Sequence, residues 1–224
     1  MTSIKLPFRF NSSLLKQEVD SIDRELYHDI YNPFVDRDML FSLHLVTPDL
    51  KSGGFIPNEL LTKFPELFKI YNSIKSDKET YRIHILRSGG VIRRHRDIAR
   101  NYENGVFRIH IPVSHPKGML TLLNDKPVDW QEGECWYLDL DMPHEIRNES
   151  DHDRIHIVMD CVRNAWWDNI FSQANYTPSF GTGYSRMQKE ELQEMKQLLI
   201  NMNSSANELV IAQIEQELKN RESA

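Results

Sequence analysis

The chain is 224 residues long, 40% hydrophobic, 10% aromatic and 27% charged, with a formal net charge of −6. The apolar fraction excludes a disordered chain, and no run of about 18 apolar residues is present to cross a membrane. The acidic total, with no block of Lys and Arg, argues against nonspecific nucleic-acid binding, although Arg93, Arg94, Arg96 and Arg100 form a local basic cluster.

The N-terminal MTSIKLPFRFNSS lacks the uninterrupted apolar stretch of a secretory leader, so the expected address is the cytoplasm. Cys135 and Cys161 have no CxxC spacing and read as buried free thiols. A helix is predicted from Ser13 to about Leu26, followed by turn signals at Asn32-Pro33, Pro48 and Gly53-Gly54. A second helical stretch runs from Asn58 towards Ile74. Pro65 interrupts it and begins a new helix or a kink, because proline cannot continue an internal hydrogen-bond ladder. Up to about residue 80 the chain reads as mixed, mainly connecting scaffold.

From Thr80 to Val162 short β-branched and aromatic runs alternate with turn signals at Gly89-Gly90, Asn104-Gly105, Pro116-Lys117-Gly118, Asn124-Asp125 and Glu132-Gly133. This spacing predicts an antiparallel sandwich or barrel. Three segments share one pattern: Arg82-Ile83-His84-Ile85, Arg108-Ile109-His110-Ile111 and Arg154-Ile155-His156-Ile157. As strands they put Arg and His on one face and the isoleucines on the other. The isoleucines belong in a core. Three such strands together favour a polar cavity on the other face, and guanidinium groups in a cavity need carboxylate or phosphate partners, which points towards an acidic ligand.

After Trp166-Trp167 and a Pro/Gly/Ser-containing stretch to Gly183 the pattern turns helical. Ser185 with Gln188 and Ser205 with Glu208 fit capping boxes, and Leu192, Met195, Leu199 and Met202 lie on one stripe. A C-terminal helical pair is expected, with residues 1–183 as one domain and 184–224 as an extension. Val210, Ile214 and Leu218 would cover the barrel, close over a substrate or form a homodimer contact, core packing being the plainest reading.

His95-Arg96-Asp97 places an imidazole and a carboxylate two residues apart on one side of an extended segment. A second imidazole would complete the arrangement of two histidines and a carboxylate that holds non-haem Fe(II) with three positions open. His144, in Asp141-Met142-Pro143-His144-Glu145 after a strand-like run and a turn, is the best candidate. Arg154, ten residues on, starts a strand that would return past the metal, where its guanidinium can fork onto a carboxylate.

Arg93-Arg94-His95-Arg96-Asp97, Phe107-Arg108-Ile109-His110-Ile111-Pro112, Gly133-Glu134-Cys135-Trp136-Tyr137-Leu138-Asp139, Pro143-His144-Glu145 and Asp153-Arg154-Ile155-His156-Ile157 follow one another in order. Together they resemble the aspartyl/asparaginyl β-hydroxylase family of Fe(II)/2-oxoglutarate-dependent dioxygenases, which includes bacterial proline hydroxylases. The resemblance covers roughly residues 80 to 162. Vertebrate-type members lack the metal-binding carboxylate, so Asp97 makes this chain more similar to the bacterial amino-acid hydroxylases.

That resemblance implies a mainly β chain with flanking helices around a double-stranded β-helix, the jelly-roll or cupin core. It implies catalytic Fe(II) on His95, Asp97 and His144, O2 as co-reactant, and the distal carboxylate of 2-oxoglutarate on Arg154. Arg108 and His110 match cosubstrate-contacting positions, and His84 would line the cavity. The reaction implied is hydroxylation of an unactivated C–H bond of a free amino acid or peptidyl residue, with succinate and CO2 formed. Halogenases of the wider superfamily replace the carboxylate ligand, so Asp97 favours hydroxylation. Arg93 and Arg96 are candidates for a substrate carboxylate, and Trp130, Trp136, Trp166 and Trp167 read as packing residues. Two other readings stand beside this one: a noncatalytic cupin-like module binding a small acid or a partner protein, and a cupin metalloenzyme that does not use 2-oxoglutarate.

Overall fold

A computed structural model of the chain describes residues 2–176, 184, 187–202 and 207–222. The chain opens with β1 (Ser3–Arg9), α1 (Ser12–Ser21), β2 (His28–Asp29), β3 (Leu40–His44), the hairpin of β4 (Val46–Pro48) and β5 (Phe55–Pro57), and α2 (Pro65–Ser73). Then follow β6 (Lys78–Leu86), β7 (Val91–His95), β8 (Val106–Ser114), β9 (Met119–Leu123), β10 (Lys126–Pro127), β11 (Glu134–Leu138), β12 (His144–Asn148) and β13 (Arg154–Val162). α3 (Ala165–Gln173) closes this part.

The strands form an antiparallel seven-stranded sheet, β1-β11-β8-β13-β6-β3-β2, and a four-stranded sheet, β10-β9-β12-β7. This is the expected double-sheet jelly roll with flanking helices. Its centre is made by the repeated segments, because β8, β13 and β6 are neighbours. Ile83, Ile85, Ile109, Ile111, Ile155 and Ile157 enter one buried cluster with Leu15 and Val19 of α1, Leu67 and Ile70 of α2, and Trp167 and Phe171 of α3. Each fully buried aliphatic side chain contributes about 1.5–3 kcal/mol relative to exposure, so this apolar layer is the structural support for whatever the opposite face carries. Cys135 and Cys161 are free and buried within it.

The N-terminal part differs from its reading as mainly connecting structure. β1 pairs with β11 along Ser3↔Leu138 to Leu6↔Cys135, and β3 pairs with β6 from Leu40↔Leu86 to His44↔Arg82. Ile4 and Leu6 alternate inward as a strand requires, and the register shifts between Leu6 and Arg9, around Pro7. Pro7 obscures the strand in the sequence yet is permitted there because β1 is an edge strand. α1 stops at Ser21, short of Leu26, and a separate 3-10 turn spans Arg24–Leu26. Pro65 does begin a helix, occupying the first turn of α2.

The chain divides into two compact units, Met1–Pro178 and Ser179–Ala224. In the second, α4 (Lys189–Asn201) and α5 (Glu208–Glu222) pair through Leu192 and Ile214, both fully buried, with Met195, Leu199, Val210 and Leu218 against them. Val210, Ile214 and Leu218 thus lie in the core of their own helical pair. Met202 leaves the predicted stripe and is exposed at the end of α4. Ser185 and Ser205, the expected caps, and the stretch 177–183 lie outside the described residues. At α4 the Glu191 carboxylate accepts from the Gln188 N–H at 2.8 Å. Among the described residues no helix is long and apolar enough to cross a membrane.

Gly133 fixes where β1 meets β11. Its φ is +79°, and a Cβ there would lie 2.2 Å from the Phe10 carbonyl oxygen, while the Phe10 N–H donates to the Gly133 carbonyl at 2.8 Å. Gly133→Ala is therefore expected to destabilise the protein by more than about 1 kcal/mol, the ordinary cost of the left-handed region for a non-glycine residue, measured by urea unfolding; an unchanged midpoint would contradict this account of the seam.

Candidate active site

The inward face of the seven-stranded sheet carries the other half of the repeat. Arg82, His84, Arg108, His110 and Arg154 line a cavity of about 240 Å³, and His95, Asp97 and His144 face the same cavity from the four-stranded sheet and the loop after β7. The three repeats lie in staggered register: His156 is opposite His84, Val158 is opposite both His110 and Arg82, and Asp160 is opposite Arg108 and Thr80. That stagger sets a carboxylate, Asp160, between two arginines.

His144 begins β12 directly opposite His95, the last residue of β7. Their rings are 4.2 Å apart between centroids, and His95 Nε2 lies 3.5 Å from Asp97 Oδ1. One ligand atom from each of His95, Asp97 and His144 can be chosen so that all lie within 4.8 Å of one another, a group able to hold a metal ion. Local backbone orients each donor. His95 Nδ1 donates to the Arg93 carbonyl at 2.8 Å and His144 Nδ1 to the Met142 carbonyl at 3.1 Å, which leaves both Nε2 lone pairs to face the site. The Asp97 N–H donates to the Leu140 carbonyl at 2.9 Å, and Arg108 Nη1 donates to Asp97 Oδ2 at 2.6 Å, leaving Oδ1 on the histidine side.

The ionisation states suit a metal ligand set. Burial pushes the His144 imidazole down to about 4, helped by the neighbouring His95 and opposed by its bond to Met142. For Asp97, burial acts upward but is overcome by the adjoining His95 side chain and the Arg108 charge, holding the carboxyl well below the usual carboxylate range. Neutral imidazole and ionised carboxylate are the ligating forms.

Arg108 is fully engaged: besides Asp97 it donates from Nε to Asp160 Oδ1 at 2.6 Å and from Nη2 to Asp160 Oδ2 at 3.2 Å. Arg154 is the opposite case. It is 1% exposed, its hydrogen bond is to His156 Nδ1 at 2.8 Å, its Nε has no partner, and no carboxylate pairs with it among the described residues. Burial brings its guanidinium down to about 9. Beside it stands Trp130, its ring 5.8 Å from the Arg154 Cζ, and Thr121 on β9 lines the same cavity. Trp130 Nε1, Thr121 Oγ1, His84 Nε2 and both ring nitrogens of His110 are buried without hydrogen-bond partners. A cavity ringed by unpartnered donors and an unpaired cation is built to receive an anion.

The structure does not bring Arg93 and Arg96 to the cavity lining. Arg93 holds a strap, residues 30–38, against β7: its guanidinium bonds Asp36 Oδ1 at 2.6 Å and the Pro33 carbonyl at 3.0 Å, and its N–H bonds the Phe34 carbonyl at 2.8 Å. Phe34 stacks on His95 at 4.4 Å, and Ile30, Tyr31 and Asn32 of the strap line the cavity. Arg96 Nε donates to the Asp141 carbonyl at 2.6 Å. The basic cluster of the sequence is thus dispersed, with Arg94 on Asp125 and Arg100 on Glu79 at 2.9 Å. Sequence reasoning missed Asp160, Thr121 and the strap, and read Trp130 as packing alone. Asp160, six residues after Arg154 and on the same side of its strand, was the one position the alternation of β13 offered.

The family model for aspartyl/asparaginyl β-hydroxylases matches residues 47–164. Among solved structures the chain is similar to an oxidoreductase of the 2OG-Fe(II) oxygenase family from Burkholderia pseudomallei, at 10% identity and a TM-score of 0.48, over 73% of this chain and 86% of that one. It is also similar to a Pseudomonas putida prolyl-4-hydroxylase, at 14% identity and 0.45, over 73% and 94%. A third likeness is to the viral collagen prolyl hydroxylase of Paramecium bursaria Chlorella virus-1, at 10% and 0.44, over 72% and 97%. Comparison with curated proteins finds no match.

Burial, then neighbouring arginine charge, lowers His84, His110 and His156 well below 6.5, and His115 to about 4. In the unfolded chain these histidines take up protons near pH 6.5, whereas the folded chain resists. Their contribution to stability is complete above about pH 6.5 and is lost as pH falls below it. The urea midpoint is expected to be flat from pH 8 to 7 and to fall steadily from pH 6.5 to 5; a midpoint constant to pH 5 would show that these rings are not held neutral.

Proposed function

The chain belongs to the aspartyl/asparaginyl β-hydroxylase family, and from that membership we propose that it is an Fe(II)/2-oxoglutarate-dependent dioxygenase hydroxylating an unactivated C–H bond of a small-molecule or peptidyl amino-acid substrate. The observation that carries this reading is Arg154, a buried guanidinium without a carboxylate, facing the same cavity as two oriented imidazoles and one carboxylate. An unpaired buried charge costs roughly several kcal/mol, so its persistence calls for an anionic ligand.

The donor set fits Fe(II): two neutral imidazoles and one carboxylate leave three coordination positions open. His95 and His144 would bind through Nε2 and Asp97 through Oδ1, since Arg108 occupies Oδ2. When bound, iron with 2-oxoglutarate and O2 supplies oxidative decarboxylation to succinate and CO2 coupled to C–H hydroxylation. Arg154 would take the distal carboxylate of 2-oxoglutarate, with Thr121 Oγ1 and Trp130 Nε1 as further donors near it. His110 and His84 stay neutral and add polar contacts without adding charge. Leu138, Leu140 and Ile146 wall the cavity with apolar surface that limits water. Residues 1–183 carry the activity in this reading and 184–224 are an extension, and the free buried thiols fit a reducing cytoplasm.

Anaerobic Fe(II)-loaded protein titrated with 2-oxoglutarate is expected to develop the weak visible charge-transfer band of a chelated 2-oxo acid. His144→Ala should abolish the band, and Arg154→Met should weaken 2-oxoglutarate affinity by about 10- to 100-fold, the range of one charge-assisted pair. In air the same protein should release succinate. Absence of the band in the folded, iron-loaded protein would sink the proposal and favour a binding module or a metalloenzyme of another kind.

A further inference from the structure

The cavity has a second cationic group that the cosubstrate does not account for. Arg82 lies on β6 and lines the same cavity as the strap residues Ile30, Tyr31 and Asn32. Its one hydrogen bond reaches Asp160 Oδ2 at 3.4 Å, Nε is buried without a partner, and Nη1 makes no hydrogen bond among the described residues. Asp160 is already held by Arg108 at 2.6 and 3.2 Å and by Thr80 at 2.8 Å. Arg82 therefore borrows part of a carboxylate that belongs mainly to its neighbour.

The charges of the site point the same way. Arg82, Arg108 and Arg154 face Asp97 and Asp160, which leaves one positive charge over. On the reading proposed above, a doubly charged metal and doubly charged 2-oxoglutarate cancel, so the excess persists once both are bound. Asp97 and Asp160 are committed to arginines or to the metal, and among the described lining residues no other carboxylate is present to meet an ammonium group. Val158 lies opposite Arg82, and Ile30, Leu40 and Ile92 add apolar wall to the same cavity. The volume of about 240 Å³ lies below the 300–1,000 Å³ usual for sites that enclose drug-sized ligands.

We propose that Arg82 anchors the carboxylate of a small substrate of net charge −1 with an apolar body and no free ammonium group, such as a short branched carboxylic acid or an N-acylated apolar amino acid. Arg82 is then the residue that selects the substrate, while Arg154 holds the cosubstrate. A zwitterionic amino acid would leave the excess positive charge unmatched and bring an ammonium with no partner. A phosphate dianion would overshoot the balance by one charge.

The proposal rests on the Fe(II)/2-oxoglutarate reading, and one titration separates the two. Anaerobic protein loaded with Fe(II) and 2-oxoglutarate is titrated with 4-methylpentanoate, N-acetyl-L-leucine, N-acetyl-L-leucinamide and L-leucine, reading the shift of the charge-transfer band, and succinate release is then measured in air. The two monocarboxylates are expected to shift the band with at least tenfold higher affinity than the amide or the zwitterion. Arg82→Gln should abolish that preference while leaving 2-oxoglutarate affinity within about twofold, and Arg82→Lys should restore part of it. Equal binding of the amide or of L-leucine, no shift by any probe, or an unchanged preference in Arg82→Gln would overturn the proposal. The selectivity of the unmutated protein decides the matter even if Arg82→Gln fails to fold. A protein that never forms the band fails at the earlier step, and the assignment of Arg82 falls with it.

Discussion

The Arg108 guanidinium bridges the two sheets of the jelly roll, and the charge order of the site follows from that bridge. On one side it grips Asp160 of β13 through two donors, and on the other it grips Asp97, which follows β7 in the opposing sheet. A buried ion pair of this kind is a weak source of net stability, because desolvation offsets most of its Coulomb gain. Its value is positional. With Oδ2 of Asp97 occupied by Arg108, Oδ1 is the oxygen left on the histidine side, so the carboxylate offers one atom to the candidate metal site. With Asp160 mostly taken, Arg82 is left under-neutralised. One guanidinium thus sets a ligand geometry and the charge state of its neighbour.

Such a site needs a scaffold able to bear it. Each central strand sends alternate residues to opposite faces, so the positions that raise Arg82, His84, Arg108, His110 and Arg154 into the cavity also drive six isoleucines into the layer beneath the helices. The polar face carries unpartnered buried atoms, each worth about 1–3 kcal/mol of lost solvation. The apolar face, continuous from α1 to α3, offsets them. Function and stability are divided between the two sides of the same three strands.

That division was legible in the sequence because period-two alternation is local. The same holds for His95-x-Asp97, whose two donors are neighbours in the chain; His144 was marked by its place at the start of a strand, but it meets His95 only through the pairing of β12 with β7. What the sequence did not disclose depends on register between distant strands. Asp160 becomes the partner of Arg108 only because β13 is staggered against β8, placing the two opposite each other 52 residues apart. Arg93 and Arg96 sit beside the ligands in sequence, yet strand geometry turns them to the strap and to the Asp141 carbonyl. β1 was hidden by Pro7, and the strap by its lack of any periodic pattern. Local pattern therefore marked the candidate ligands, and long-range pairing brought them together and decided which residues surround them.

The strap gives the last constraint. Its residues 30–32 line the cavity while 33–36 are tied to β7 by the Arg93 side chain and by a backbone bond from Arg93 to Phe34. The carbonyl of that same Arg93 accepts from His95 Nδ1, and the Phe34 ring covers the His95 ring. One residue thereby fixes both the tautomer of an imidazole in the candidate metal site and the wall beside it. Because Tyr31 is 75% exposed and its neighbours Ile30 and Asn32 face inward, the strap joins the site to solvent at its rim. Arg93, which orients His95, thus also anchors the strap whose residues 30–32 bound the cavity, which couples the geometry of the candidate ligand set to the shape of what it can accept.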